Sequence, residues 1–328
     1  MTIKSSGSSL SFTEIEAEFG QNGSRSLGDY RLNQNVGSLS NLPLDSGIPT
    51  SGQIKFSDFY SKRLNVVVDC HSGGQETRKS AKNDKWNNNN LTVVGGFRSK
   101  KEGGSKIIIN VNKRFCSDKS NVVHCALKTG SWDSTATVQV DVGSSGRILG
   151  SGGDGGRGAN GIDSSGQSGF TGTSGLGIDH NGVTVNVQCG GVIRAGFGGG
   201  GGGGGDRQVD KGEDRRASGG GGGGGMGCPP GSGGPRGTTG SLGSDGSNGS
   251  ETAGGGGGSR GVNENQAYGG AGGSGGQAQG GAGAGNNAEN SGGAGGASGA
   301  AIRRTSGFSV SVNNSGTING STTATGVT

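Results

Sequence analysis

Residues Gly198 to Gly205 form an unbroken run of eight glycines, and Gly219 to Gly225 and Gly254 to Gly258 add runs of seven and five. Each glycine loses more conformational freedom on ordering than any other residue, so polyglycine in water is ordinarily a flexible linker. A stretch without side chains has little apolar surface to bury. It becomes rigid only if its amides and carbonyls find partners in neighbouring backbone. The extended left-handed threefold helix rises about 3.1 Å per residue and makes no internal hydrogen bonds, so all of these groups look for neighbours. Several such helices side by side would satisfy one another, with Cα–H···O contacts as weaker support. Only glycine permits that spacing, since a Cβ would force the backbones apart. A run of eight then spans about 25 Å. The runs are of comparable length and are separated by polar stretches of definite sequence, which favours the packed array over the linker. Collagen is excluded, because there is no strict Gly-X-Y period and only five prolines occur.

With 82 glycines in 328 residues, 26% hydrophobic residues and 4% aromatic, an ordinary core cannot run the length of the chain. Most aliphatic residues precede Gly150. The expected fold is mainly β with a glycine-rich C-terminal half: a short helical docking segment over 1–63, a β-sandwich-like middle domain over 64–150, and packed polyglycine-II helices joined by polar loops over 151–328. In the first part Leu10, Phe12, Ile15 and Phe19 fall on one helical face, Ser11 and Glu14 have capping-box spacing, and Gly20 ends the helix. A second phrase supplies Ile54, Phe56, Phe59 and Tyr60 to pack on it. In the middle, Leu64–Cys70, Leu91–Phe97, Lys106–Phe115, Val122–Leu127 and Thr135–Val142 read as strands, with Trp86 and Trp132 closing the core.

A repeat crosses the boundary at Gly150. Val138-Gln139-Val140-Asp141-Val142 leads to Gly146-Arg147-Ile148; Val185-Asn186-Val187 leads to Gly191-Val192-Ile193; Val310-Ser311-Val312 leads to Gly316-Thr317-Ile318. Strand, turn and Gly-x-Ile step recur each time, which implies that strands deliver the chain repeatedly to the edge of one packed array.

Other functions find little support. A net charge of +5 without a basic block gives no nucleic-acid arm. The polar start and the lack of a long apolar window lead us to expect cytoplasmic synthesis and no membrane span. Five irregularly spaced cysteines argue against a disulfide framework and predict free thiols. Cys70-His71 and His124-Cys125 lack zinc-ligand spacing, and adjacent strand residues point to opposite faces. No glycine run has a phosphate-loop context, and with three histidines there is no hydrolase constellation. The expectation is therefore a non-enzyme without cofactor or metal.

The phrases Leu10–Gly20 and Ile48–Tyr60 resemble a short N-terminal segment of tail and virion proteins of marine and other bacteriophages. The glycine-run half is similar to the fibre-tip adhesins of T-even-type phages. That resemblance implies a polyglycine-II sandwich that presents loops to a host receptor. It implies recognition by the stretches Asp206–Ser218, Met226–Ala253, Ser259–Tyr268 and Asn286–Ser291. Within them the candidate contacts are Asp206, Arg207, Asp210, Lys211, Glu213, Asp214, Arg215 and Arg216 of the mixed-charge stretch, with Arg236, Arg260 and Tyr268. The expected partners are other tail, fibre or baseplate proteins, a host outer-membrane protein or lipopolysaccharide, and further copies of the chain as a trimer on the tail. Two other readings of the residues stand beside this one. The first is an architectural tail protein with a stiff glycine spacer; the second is a glycine-rich RNA-binding chain suggested by the Arg-Gly steps at Arg157, Arg236 and Arg260.

Overall fold

The computed structural model describes residues 3–19, 26–30, 48–49, 51–62, 65–70, 75–77, 79–80, 92–93, 106–119, 121, 123–161, 164–210, 213–262, 269–276 and 290–327. The N-terminal unit begins with α1 (Phe12–Phe19). Its capping box is formed: the Ser11 amide donates to Glu14 Oε2 at 2.8 Å, and the Glu14 amide to Ser11 Oγ at 3.4 Å. Lys4 Nζ lies 2.6 Å from Glu14, and that hydrogen bond, with the Ser11 amide, holds the carboxyl down at about 2. A 3-10 turn, Phe56–Phe59, packs on the helix, and the Phe12 and Phe56 rings meet edge to face at 5.0 Å. The Tyr60 hydroxyl donates to the Ser8 carbonyl at 2.5 Å. Ile15 and Phe59 are fully buried, whereas Leu10, Phe12, Ile54 and Phe56 are half-buried. The Phe19 side chain lies outside the described set.

The β-region is built of successive turns of one coil. The first turn has β1 (Asn65–Cys70), β2 (Gln75–Thr77) and β3 (Lys79–Ser80), followed by the short β4 (Thr92–Val93). The second has β5 (Lys106–Val111), β6 (Arg114–Cys116) and β7 (Cys125–Lys128); the third has β8 (Thr137–Val142), β9 (Arg147–Leu149) and β10 (Ser174–Ile178). The fourth has β11 (Val183–Val187) and β12 (Val192–Arg194). It closes with β15 (Ile302–Arg304), after a hairpin of β13 (Asp206–Asp210) and β14 (Glu213–Ala217). The last turn is β16 (Val310–Asn314), β17 (Thr317–Asn319) and β18 (Ala324–Thr325).

Corresponding strands stack into three sheets, ordered β16-β11-β8-β5-β1-β4, β17-β12-β9-β6-β2 and β18-β15-β10-β7-β3. All stacking pairs are parallel except β1 with β4. The molecule thus contains a three-sided parallel β-solenoid, and the β-sandwich expected over 64–150 is corrected. Period-two apolar patterning sets which face of a strand is buried but not the direction of its partner. The repeat now has its physical meaning: Val140, Val185 and Val312 are successive partners, as are Ile148, Ile193 and Ile318. Inward columns such as Ile109, Val140 and Val185 are fully buried. Gly146 is required at its turn because a Cβ there would overlap the Val111 carbonyl of the coil beneath. Trp132 closes the core with its Nε1–H donating to the Thr129 carbonyl at 2.8 Å; Trp86 lies outside the described residues. Strands on both sides of Gly150 share sheets, so that residue marks the first exit into the glycine array and the solenoid continues beyond it.

The array leaves the solenoid twice, after β9 and after β12, and returns at β10 and β15. Its extended segments are 150–161, 164–173, 196–205, 218–227, 229–240, 243–250, 254–261, 269–276 and 290–300. Their backbone hydrogen bonds recur every third residue. Gly153, Gly156 and Ala159 donate to Phe197, Gly200 and Gly203; Phe197, Gly200 and Gly203 donate in turn to Met226, Gly223 and Gly220. None of the run glycines has a positive φ, so one hand of threefold helix is used throughout. The central segment, 218–227, bonds to six neighbours. Gly219 donates to Ala159 and accepts from Gly237, Gly220 donates to Gly270 and accepts from Gly203, and Gly221 donates to Ser244 and accepts from Gly258. That is hexagonal packing in three layers.

Candidate functional site

Neighbour number dictates the glycine pattern. In the runs Gly219 to Gly225 and Gly198 to Gly205 every third-residue column faces another backbone, so every position must lack a Cβ. In outer segments such as 229–240 and 243–250 one column in three faces the centre. Gly231, Gly234 and Gly237, or Gly243, Gly246 and Gly249, touch the centre while Ser232, Arg236, Asp245 and Ser247 face water. The stretch Met226–Ala253, expected as one recognition loop, is therefore mostly two array segments, 229–240 and 243–250. Gly-x-x at the periphery does the work that unbroken glycine does inside.

Successive segments from 150–161 to 269–276 alternate in direction, so the connections among them gather at two ends. The proximal end abuts the solenoid. There Cys116 of β6 is joined to Cys228 in the turn after 218–227, which corrects the expectation of free thiols: partners 112 residues apart are brought together by the fold, not by spacing. Cys125 and Cys189 remain free thiols. Glu251, in the next proximal turn, lies 3.0 Å from Arg114, 2.7 Å from Arg147 and 4.0 Å from Arg194. Burial lowers the Arg194 pKa; Glu251 opposes that shift and the nearby Arg147 adds to it. Asp154 accepts from Lys119 Nζ at 2.7 Å and from the Ser232 amide at 2.6 Å. Burial alone would raise its carboxyl, but these two donors outweigh it and the pKa is lowered.

The distal end carries the β13–β14 hairpin. Its register sets Asp206 against Ala217, Arg207 against Arg216, Gln208 against Arg215, Val209 against Asp214 and Asp210 against Glu213. Like charges thus face each other at Arg207 and Arg216 near the base. Such pairs disfavour a sheet in isolation, so the hairpin is imposed by the two array segments it joins. Asp206 is buried, and Arg207 and Arg216 are half-buried; these three and Arg260 are all engaged within the chain. Lys211 and Tyr268 lie outside the described residues. The distal turns close around Arg216. Gly161, at φ +51°, rests on its side chain, and the Ser241 amide donates to its carbonyl at 2.9 Å. The Gly261 amide then donates to Ser218 at 3.1 Å, which brings the end of 254–261 to the same face.

Two residues that sequence reasoning missed belong there. Leu242 is 48% exposed and Val262 54% exposed, on adjacent segments joined by Ser244 donating to Ser259. The available signal was an aliphatic residue at the end of a glycine-serine phrase. Arg236 is exposed, with its amide donating to Asp245 Oδ1 at 2.9 Å and its guanidinium to the Gly243 carbonyl at 3.4 Å, and Arg260 is half-buried in 254–261. His124 Nδ1 lies 2.9 Å from Asp118, and Cys125 is buried beside it; the Cys70 side chain and His71 lie outside the described set. The solenoid thus launches a six-neighbour glycine array whose described turns gather at the end away from the solenoid. The family model for the phage tail fibre adhesin Gp38 matches residues 75–323. The chain belongs to that family. As an adhesin it is a structural component of the virion tail that binds a host surface receptor and other tail components. Neither a curated protein nor a solved structure matches it.

Proposed function

We propose that the adhesin contacts its receptor, a host outer-membrane protein or lipopolysaccharide, through the distal face formed by the β13–β14 hairpin, the 240–243 turn and the end of 254–261. The observation that carries this reading is the convergence of those turns at the end of the array opposite the disulfide and Glu251. Two exposed aliphatic residues, Leu242 and Val262, stand there amid polar groups, the mixture that interface cores use. Asp210, Glu213, Asp214 and Arg215 of the hairpin strands supply polar selectivity, with Lys211, Arg236 and Tyr268 as further contacts. Buried Asp206 shapes the hairpin base. The N-terminal unit docks to the tail through its half-buried Leu10, Phe12, Ile54, Phe56 and Tyr60, while Ile15 and Phe59 fold it and Phe19 extends the same helix.

Purified adhesin should compete with phage for host cells. Leu242→Asp with Val262→Asp, at positions already facing water, should lower that competition at least tenfold without changing Tm. Equal competition by this variant and by one with the 206–217 hairpin exchanged for a relative's would refute the distal face as the contact surface.

A further inference from the structure

The last coil of the solenoid is unfinished in a way that identifies what covers it. Val183, Val185 and Ile193 in the fourth coil are fully buried. Their partners in the fifth, Val310, Val312 and Ile318, occupy the same inward columns yet are half-buried or exposed, with Val312 at 36%. β16, β17 and β18 are also the terminal strands of their sheets, so among the described residues their outer amides and carbonyls have no strand partner. Natural edges of this kind are guarded by lysine, proline or bulges. From Thr305 to Thr328 there is no charged residue and no proline. At the opposite end the edge of β1 in the same stack is covered by the antiparallel β4.

A side-chain ladder on one face gives the direction of the missing layer. Asn186 donates to Asp141 Oδ1 at 2.6 Å, and Asn313 donates to Asn186 Oδ1 at 2.8 Å. The fourth and fifth coils each donate to the one before, so Asn313 Oδ1 is placed to accept from a donor on a following parallel strand. On this sheet the β1 edge that a second copy would offer head to tail is taken at Val68 and Asp69 by β4, which favours a different partner.

We propose that this end is an attachment surface for a different tail protein, whose own uncharged parallel strand, with a carboxamide or hydroxyl side chain in register with Asn313, continues the solenoid. The proposal rests on membership of the tail-fibre adhesins but not on where the receptor binds. The test places Val312→Lys in the phage genome and measures adhesin per purified virion by quantitative mass spectrometry. Ser311→Lys, at an outward and exposed position, is the second variant should the first lower the Tm of the purified chain. At least a tenfold loss of adhesin per virion is expected, while the purified variant stays monomeric by light scattering and still competes with phage for host cells. Unchanged occupancy with both lysines would overturn the proposal. So would a wild-type chain that dimerises alone and is made monomeric by Val312→Lys, since the occupant would then be a second copy. Loss of competition by wild-type adhesin would count against the receptor reading alone.

Discussion

Gly200 and Gly222 meet backbone to backbone: a Cβ on Gly222 would sit 2.6 Å from the carbonyl carbon of Gly200 and closer still to its oxygen. At the same residue the amide donates to Gly156 at 2.8 Å and the carbonyl accepts from Gly234 at 2.7 Å. Three neighbouring segments therefore converge on one position that has no room for a methyl group.

Gly222→Ala should accordingly be severe. Overpacking costs about 1–3 kcal/mol, and each buried amide or carbonyl left unpaired costs about 1–3 more. Gly256 is the internal control, since a Cβ there would meet only Ser247 Oγ at 3.6 Å. Gly256→Ala should be neutral or stabilising by about 0.4–1 kcal/mol through the unfolded chain. Denaturant midpoints of the two variants check the contrast.

The disulfide and Glu251 fasten the array to the solenoid. Replacing Cys116 and Cys228 by serine removes a crosslink over 112 residues and should cost about 2–4 kcal/mol by the usual range for such links. Glu251→Gln should lower Tm as well, because it leaves Arg114, Arg147 and Arg194 without their shared counter-charge. Calorimetry of both variants, alone and combined, reads the two effects and their additivity.

Asp154 makes the seam acid-sensitive. Its carboxyl is held below the ordinary range in the folded protein, so its contribution is present above the unfolded pKa and is lost as pH falls through the folded one. Stability should drop on acidification below the usual carboxylate range. Asp154→Asn should show a shallower drop there in thermal melts taken across that window.

The elements differed in how far the sequence disclosed them. The Val-x-Val and Gly-x-Ile repeat was visible because each coil must bury the same columns, and so was the Ser11–Glu14 cap, a local hydrogen bond. Strand direction was not, because alternation of Val138, Val140 and Val142 is the same in a sandwich and a solenoid. The unbroken runs disclosed the centre of the array, whereas Gly231-Ser232-Gly233-Gly234-Pro235 read as loop because a peripheral helix needs glycine on its inner column only. The Cys116–Cys228 pairing and the Leu242–Val262 pair depend on which segments become neighbours, a property of the packed array alone.

Amide hydrogen exchange across 218–227 tests the lateral pairing of glycine backbones most directly. Protection of Gly219 to Gly225 approaching that of the solenoid strands Ile107–Val111 is the predicted result. Exchange of these glycine amides at the rate of an unstructured peptide, with the solenoid still protected, would contradict it.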